Sequence, residues 1–307
     1  MREGVITVKA VRYEEFGGPE VLRVMEVDAP RPRAGEVRIA VRAAAVNPVD
    51  WKMRSGAFGS GRLPAGTGMD AAGIVDQVGE GVDDIAVGEA VFGSSAPGAI
   101  AEYAVLREWA RKPESLSFEE AAGFVMTSET ARRALNLLPA RAGETLVVNG
   151  ASGGVGLAAV QFALADGLTV IGTASEANHE FLRGLGVIPV VYGDGLVERV
   201  RSAAPDGVDG AVDIAGSGAL PQLIELTGRT DRVITIADPA ADQYGVRMTS
   251  GKEGHAPEAR AEAAALFEQG RFTMPVARIF SMDEVAEAHA ASERGHVRGK
   301  YIVQVAS

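Results

Sequence analysis

Cysteine is absent from the chain, which excludes disulfides and thiolate chemistry. No run of about 18 apolar residues occurs, so no membrane-spanning helix is expected. The opening stretch MREGVITVKA lacks the apolar core of a signal peptide, and together these absences lead us to expect a cytoplasmic protein. An excess of positive charge is also missing. The 30 Lys and Arg stand against 41 Asp and Glu, for a net charge of −11. Nucleic acid and anionic membranes are therefore poor candidates as partners, and much of the charge serves solubility. Internal repeats, low-complexity segments and a long linker are lacking too. What is present is a chain of 307 residues, 47% hydrophobic and 23% charged. That is ordinary globular composition at a length suited to two domains.

The residues up to about Ser117 are rich in Val, Gly and Pro, and read mostly as strands. EVRIAVRAAAV (36–46) alternates apolar and polar residues as a half-buried strand does. AAGIVDQVGEGV (71–82) reads as a strand that turns at Gly79 and Gly81, and GEAVFGS and AIAEYAVL read as two more. At LSFEEAA the pattern changes. Ser117 and Glu120 have capping-box spacing, and helical periodicity follows until Pro139. Strands are then expected at 145–149, 168–173, 188–191, 210–214 and 232–236, with helices near 154–166, 176–185, 195–203 and 218–227. Such βαβα alternation implies a doubly wound parallel sheet covered on both faces. After Arg271 a short strand, a helix and a final strand in GKYIVQV are too little for a domain and are expected to return to the first one. The expected division is 1–117 with 272–307 for one domain and 118–271 for the other.

The segment VVNGASGGVGLAAVQFA (147–163) places Gly150, Gly153 and Gly156 between a strand and a helix. The common dinucleotide fingerprint is G-x-G-x-x-G, so the first interval here is one residue longer. Within a βαβ unit the helix start, with Gly154 and Val155 in its first turn, offers unpaired N–H groups and a positive dipole end to a pyrophosphate. Ser152 can add a hydroxyl. The alternative is a plain tight strand-to-helix turn, which the series of alternating strands disfavours. About 20 residues on, an acid would take the ribose 2′-OH of NAD. The stretch GTASEANHEFLR instead carries Thr173, Ala174 and Ser175, small residues that leave room for a 2′-phosphate. His179 and Arg183 could add positive charge or be plain helix surface, and Glu176 argues the other way. The expected cofactor is NADP(H).

Taken in order, several motifs resemble the zinc-independent quinone oxidoreductase branch of the medium-chain dehydrogenase/reductase superfamily. They are YEEFGGPEVL, NPVDWKMRSG (47–56), MDAAGIVDQVGEGV (69–82), LSFEEAA, GASGGVGLAAVQFA and GHVRGKYIVQV. The resemblance covers nearly the whole chain. It implies a GroES-like β-rich domain built from both chain ends, a Rossmann domain inserted between them, and an active site in the cleft. Zinc-dependent members use a Cys and a His as catalytic ligands and four Cys in a structural site. Asn47 stands where the Cys ligand would be, and His179, His255, His289 and His296 lie far from matching positions, so no metal is expected.

The resemblance also assigns roles. Asn47 lies beside nicotinamide and substrate, where its amide could donate to a carbonyl oxygen as charge develops; a simple Asn-Pro turn is the alternative. Asp50 is expected to brace this loop. Trp51 stands where many relatives have a Tyr, which removes a phenolic proton donor but leaves a ring able to stack. Lys52 and Arg54 are expected at the surface, and Tyr103 is expected to be structural. Thr127, and less so Thr130, match residues near the cofactor. DIAG (213–216) and TIAD (235–238), with Ala215 and Ile236, end strands that face the ligand crevice. Lys300 matches a contact near the phosphates or is a surface charge.

The expected activity is an NADPH-dependent, metal-free reduction of a small-molecule quinone or α,β-unsaturated carbonyl compound. The alternatives are an enoyl or alkenal reductase of a biosynthetic pathway, and a non-catalytic NADPH-binding relative. A homodimer is expected by analogy, with RVITIAD (232–238) near the sheet edge.

Overall fold

A computed structural model describes residues 6–59, 61–251 and 253–306. The first five residues of the N-terminal stretch discussed above lie outside this set. The chain forms two units, one comprising residues up to Met126 with those from Met274 onward, the other residues 127–273.

The first unit is built on two sheets. Thr7–Tyr13 lies between Arg23–Asp28 and Ala65–Gly66 in the smaller, three-stranded sheet. The larger sheet has six strands in the order Val276–Ser281, Lys300–Gln304, Val37–Val46, Asp70–Val78, Ala90–Ser95 and Tyr103–Arg111. Val37–Val46 is its hub. One edge pairs with Asp70–Val78; the other is shared, Val37–Ala40 meeting Tyr103–Leu106 and Ala43–Val46 meeting Tyr301–Gln304. Four strands thereby close on themselves, which removes exposed edges. Inside lie Val37, Ile39, Val41, Ala71, Val75, Val91, Ala104 and Leu106. The expected half-buried alternation of 36–46 is corrected here: only Ala40 and Arg42 of Val37–Val46 escape full burial. The strand is covered from both faces, and its alanines permit that close approach.

Helix Phe118–Leu137 starts at the expected capping box. Ser117 Oγ donates to Glu120 Oε2 at 2.7 Å and accepts from Glu120 N–H at 3.2 Å.

The second unit is a six-stranded, all-parallel sheet in the order Ile188–Val190, Thr169–Thr173, Thr145–Asn149, Gly210–Asp213, Val233–Thr235 and Arg247–Met248. Its interior strands have apolar middles and a polar last residue, and burial of a parallel strand on both faces requires such a middle. Helices Gly154–Ala165, His179–Gly184, Leu196–Ala203 and Leu220–Thr227 occupy the expected intervals. Residues Gly156–Ala163 of the first are all buried, in keeping with a helix that is hydrophobic all round. Helix Ala259–Glu268 and strand Arg247–Met248 were not anticipated. The strand is two exposed residues, too short for any periodic signal. It also corrects the expected sheet edge, because Val233–Thr235 lies one strand inside it and is fully buried.

Candidate active site

In the second unit, strand Thr145–Asn149 runs into the glycine turn. Gly150 has φ +90°, a conformation that favours glycine. A Cβ on Gly156 would lie 2.0 Å from the Gly150 carbonyl oxygen, so backbone packs directly on backbone there. A Cβ on Gly153 would meet nothing nearer than 3.9 Å. Gly153 caps helix Gly154–Ala165 without a side-chain hydrogen bond, and the first N–H groups of a helix have no partner within it. Those of Gly154, Val155 and Gly156 thus remain for an anion, with Ser152 half-buried beside them. The turn fits a dinucleotide pyrophosphate on these grounds.

The turn is held by a chain of polar side chains, each ending an apolar strand. Gly150 N–H donates to Thr173 Oγ1 at 2.9 Å, and Thr173 Oγ1 donates to Asn149 Oδ1 at 2.7 Å. Asn149 Nδ2 donates to Asp213 Oδ1 at 2.8 Å, and Thr235 Oγ1 donates to Asp213 Oδ2, also at 2.8 Å. Gly216 N–H adds a further bond to Asp213. All four side chains are buried, and in a low-dielectric interior such groups have to be paired. Sequence reasoning placed the ends at 213–216 and 235–238 on the crevice but missed Asn149 and the lacing itself. The available signal was a polar residue at the last position of each strand.

This lacing changes the reading of Thr173. Its hydroxyl proton is directed to Asn149, so it is not offered to a ribose phosphate. Ser175, half-buried, accepts from Asn178 Nδ2 at 3.2 Å and keeps its own proton for another acceptor. His179 Nε2 lies 3.3 Å from the Ala174 carbonyl oxygen, while Arg183 and Glu176 are exposed. Ala215 approaches the turn closely: a Cβ on Gly150 would lie 3.2 Å from its Cβ. Ile236 N–H donates to Asp213 O at 3.0 Å, which fixes the next strand end. Thr127 is buried in helix Phe118–Leu137.

The first unit holds a second constellation. Asn47 follows directly on the hub strand and caps helix Pro48–Arg54, with Pro48 at the first helical position. Asp50 Oδ2 accepts from Asn47 N–H at 2.7 Å, the reciprocal arm of a capping box and the expected brace. The Asn47 side chain has other partners. Its Oδ1 accepts from Lys300 Nζ at 2.5 Å, and its Nδ2 donates to Asp70 Oδ2 at 2.8 Å. Lys300 Nζ also donates to Val46 O at 2.8 Å. Asp70 Oδ2 accepts in addition from Met126 N–H at 3.2 Å. Asn47, Asp50, Asp70 and Lys300 are each at most 5% exposed. Lys300 as a surface charge is thereby overturned: its ammonium lies inside, against Asn47. Arg54 is likewise no surface residue; it is 1% exposed and paired with Glu293, since four residues from Asp50 it shares that residue's inward face. Lys52 lies over the half-buried Trp51 ring, 5.5 Å from its centre. Tyr103 packs beneath the Arg38 guanidinium at 4.9 Å, a structural place.

Two carboxyl groups thus share one ammonium. Burial pushes the Asp50 carboxyl up to about 7, and the Asp70 charge adds to the rise. The Asn47 and Gly68 N–H groups and the Lys300 ammonium oppose it. Burial lowers the Lys300 ammonium, and the two carboxylates hold it up. The folded chain therefore keeps a proton on Asp50 between about pH 4, where the unfolded side chain loses it, and about pH 7. Stability contributed by this group falls as pH rises through that window, with a slope of up to about 1.4 kcal/mol per pH unit. Asp50→Asn keeps an acceptor for Asn47 N–H and removes the titration. Its melting temperature is expected to match wild type at or below about pH 4, to gain on it progressively up to about pH 7, and to hold that gain above. Parallel curves in a pH series of thermal melts would contradict this.

Residues 33–113 match the alcohol dehydrogenase GroES-like domain, and residues 185–303 match a family described as zinc-binding dehydrogenase. The quinone oxidoreductase of Rattus norvegicus is 37% identical over 82% of this chain and 80% of its own length. The 2-methylene-furan-3-one reductase of Solanum lycopersicum is 31% identical over 96% of this chain and 79% of its own. The crystal structure of the Escherichia coli quinone oxidoreductase complexed with NADPH superposes with a TM-score of 0.84 at 25% identity, covering 97% of this chain and 100% of that one. With that identity over that length, on a GroES-like unit joined to a Rossmann sheet, the chain belongs to the quinone oxidoreductase branch of the medium-chain dehydrogenase/reductase superfamily.

Proposed function

We propose that the protein is an NADPH-dependent, metal-free reductase of quinones or α,β-unsaturated carbonyl compounds. The observation that carries this reading is the Lys300 ammonium 2.5 Å from Asn47 Oδ1. Asn47 stands where zinc-dependent relatives carry a Cys ligand, and a buried cation there would repel a second cation. Without a Lewis acid the substrate has to be electrophilic already, as quinones and conjugated carbonyls are.

When bound, the reduced nicotinamide supplies the hydride. The chain's own residues do the rest. The N–H groups at Gly154–Gly156 hold the pyrophosphate, and Ser175 receives the 2′-phosphate. As hydride adds to the substrate, electrons move onto its carbonyl oxygen, and the second N–H of Asn47 Nδ2 donates to that oxygen. A proton from water or a nearby group completes the neutral product. The quinone half of the substrate class is supported by the quinone oxidoreductase relatives, and the conjugated-ketone half by the Solanum lycopersicum relative.

Three outcomes are expected. NADPH binds more tightly than NADH in fluorescence titration, and Ser175→Asp moves the preference toward NADH; equal or tighter NADH binding by wild type contradicts the assignment. Asn47→Ala lowers kcat with 1,4-benzoquinone by roughly 10- to 1000-fold at unchanged NADPH affinity, while chelators leave wild type unaffected. Full activity in that variant would reduce Asn47 to a turn former. Light scattering at micromolar concentration gives a dimer mass. The exposed edge strand Arg247–Met248, with Tyr244 42% and Met248 46% exposed, supports pairing along the parallel sheet, and a monomer mass refutes it.

A further inference from the structure

We infer that Lys300 is a positioning residue that decides which end of the Asn47 amide meets the substrate. This rests on the proposed role of Asn47 as carbonyl donor. A primary amide has nearly the same shape either way round, and its two ends differ only in charge and hydrogen-bonding sense. Here they meet opposite charges. Oδ1 faces the Lys300 ammonium at 2.5 Å and Nδ2 faces the Asp70 carboxylate at 2.8 Å. Reversal would set N–H groups against an ammonium and a carbonyl oxygen against a carboxylate. Two charge-assisted hydrogen bonds would become two repulsions in a dry site.

Both arms of this lock are themselves fixed. Lys300 Nζ donates to the Val46 carbonyl at 2.8 Å, one peptide before Asn47. Tyr301 pairs with Val46 in the sheet, so the lysine backbone is registered on the same strand end. The lysine stem passes Gly123, where a Cβ would lie 3.3 Å from Lys300 Cγ and 3.2 Å from Met274 Cγ. Asp70 is held by the Met126 N–H at 3.2 Å. The amide can therefore offer a ligand only its second N–H. A substrate carbonyl oxygen, which only accepts, is matched; an alcohol oxygen can accept the same N–H, but its own O–H then finds no acceptor on this end of the amide. The ammonium on Oδ1 also draws electron density from the amide and makes the N–H a stronger donor. Lys300 thus contributes to the preference for oxidised, carbonyl-bearing substrates without touching them.

Lys300→Met keeps the stem and removes the ammonium. It is expected to lower kcat with 1,4-benzoquinone about as much as Asn47→Ala, at unchanged NADPH affinity. Adding Asn47→Ala to it should lower kcat by less than about threefold more, because the lysine acts through the amide. Losses that multiply indicate a separate structural role and overturn the proposal. A second readout needs no turnover. In protein labelled with ¹⁵N-asparagine, the Asn47 side-chain proton pair, assigned by its loss in Asn47→Ala, should be widely split in wild type and narrowed in Lys300→Met. An unchanged pair overturns the proposal whatever the kinetics. Full turnover by Asn47→Ala would instead remove the donor role of Asn47 while the resonance pair still reports on Lys300. Should Lys300→Met fail to fold, the same cycle with Lys300→Gln applies: a smaller, non-additive loss supports the proposal and a multiplying one overturns it.

Discussion

A lysine ammonium taken out of water has to be neutralised and hydrogen-bonded, or it gives up its proton. Lys300 is 5% exposed, and the chain meets that demand by drawing three distant segments together. The final strand brings the lysine, the hub strand brings Val46 O and Asn47 Oδ1, and the next strand brings Asp70. The requirement also explains why Asp50 and Asp70 tolerate each other in one dry site: the ammonium lies near both, and Asp50 holds a proton near neutrality. Removing Lys300, Asn47 or Asp70 leaves an uncompensated charge or an orphaned amide, which costs more than the pair itself contributes.

The nucleotide unit applies the same rule with neutral and singly charged groups. A parallel sheet buries its strands on both faces, yet the ligand has to be met at their C-terminal ends. Asn149, Thr173, Asp213 and Thr235 are the buried polar residues at those ends, and they satisfy one another. The glycine turn is therefore anchored through Gly150 N–H to Thr173, and the first N–H groups of the helix beyond it have no partner within the helix. Rigidity in the scaffold and unpaired donors toward the ligand come from one arrangement.

Much of what depends on neighbouring residues was legible in the sequence, although helix Ala259–Glu268 was not. Strand Thr145–Asn149 and its glycine turn, the capping box at Ser117 and the alternation of strand and helix follow from local periodicity and local chemistry. The side-chain partners that were missed depend on distance along the chain. Lys300 and Asn47 lie 253 residues apart, and the partners of Asn149 lie 24 and 64 residues away. A charged side chain gives no local sign of burial, which is why Arg54 was read as a surface group and a surface charge was left open for Lys300, although both are buried, Arg54 paired with Glu293 and Lys300 with Asn47. Thr173 was legible as a small residue in place of an acid, but the direction of its hydroxyl was not. Strand Arg247–Met248 is too short for a pattern.

The central claim is that metal-free reduction relies on an Asn47 amide whose donor end is fixed by charge. The most direct measurement is a crystal structure of the unreactive complex with NADP⁺ and the quinone substrate. The account predicts the ligand oxygen about 3 Å from Asn47 Nδ2, with Oδ1 still on Lys300 Nζ. A ligand oxygen held by other groups, or an Asn47 side chain turned with its oxygen toward the ligand, would contradict it.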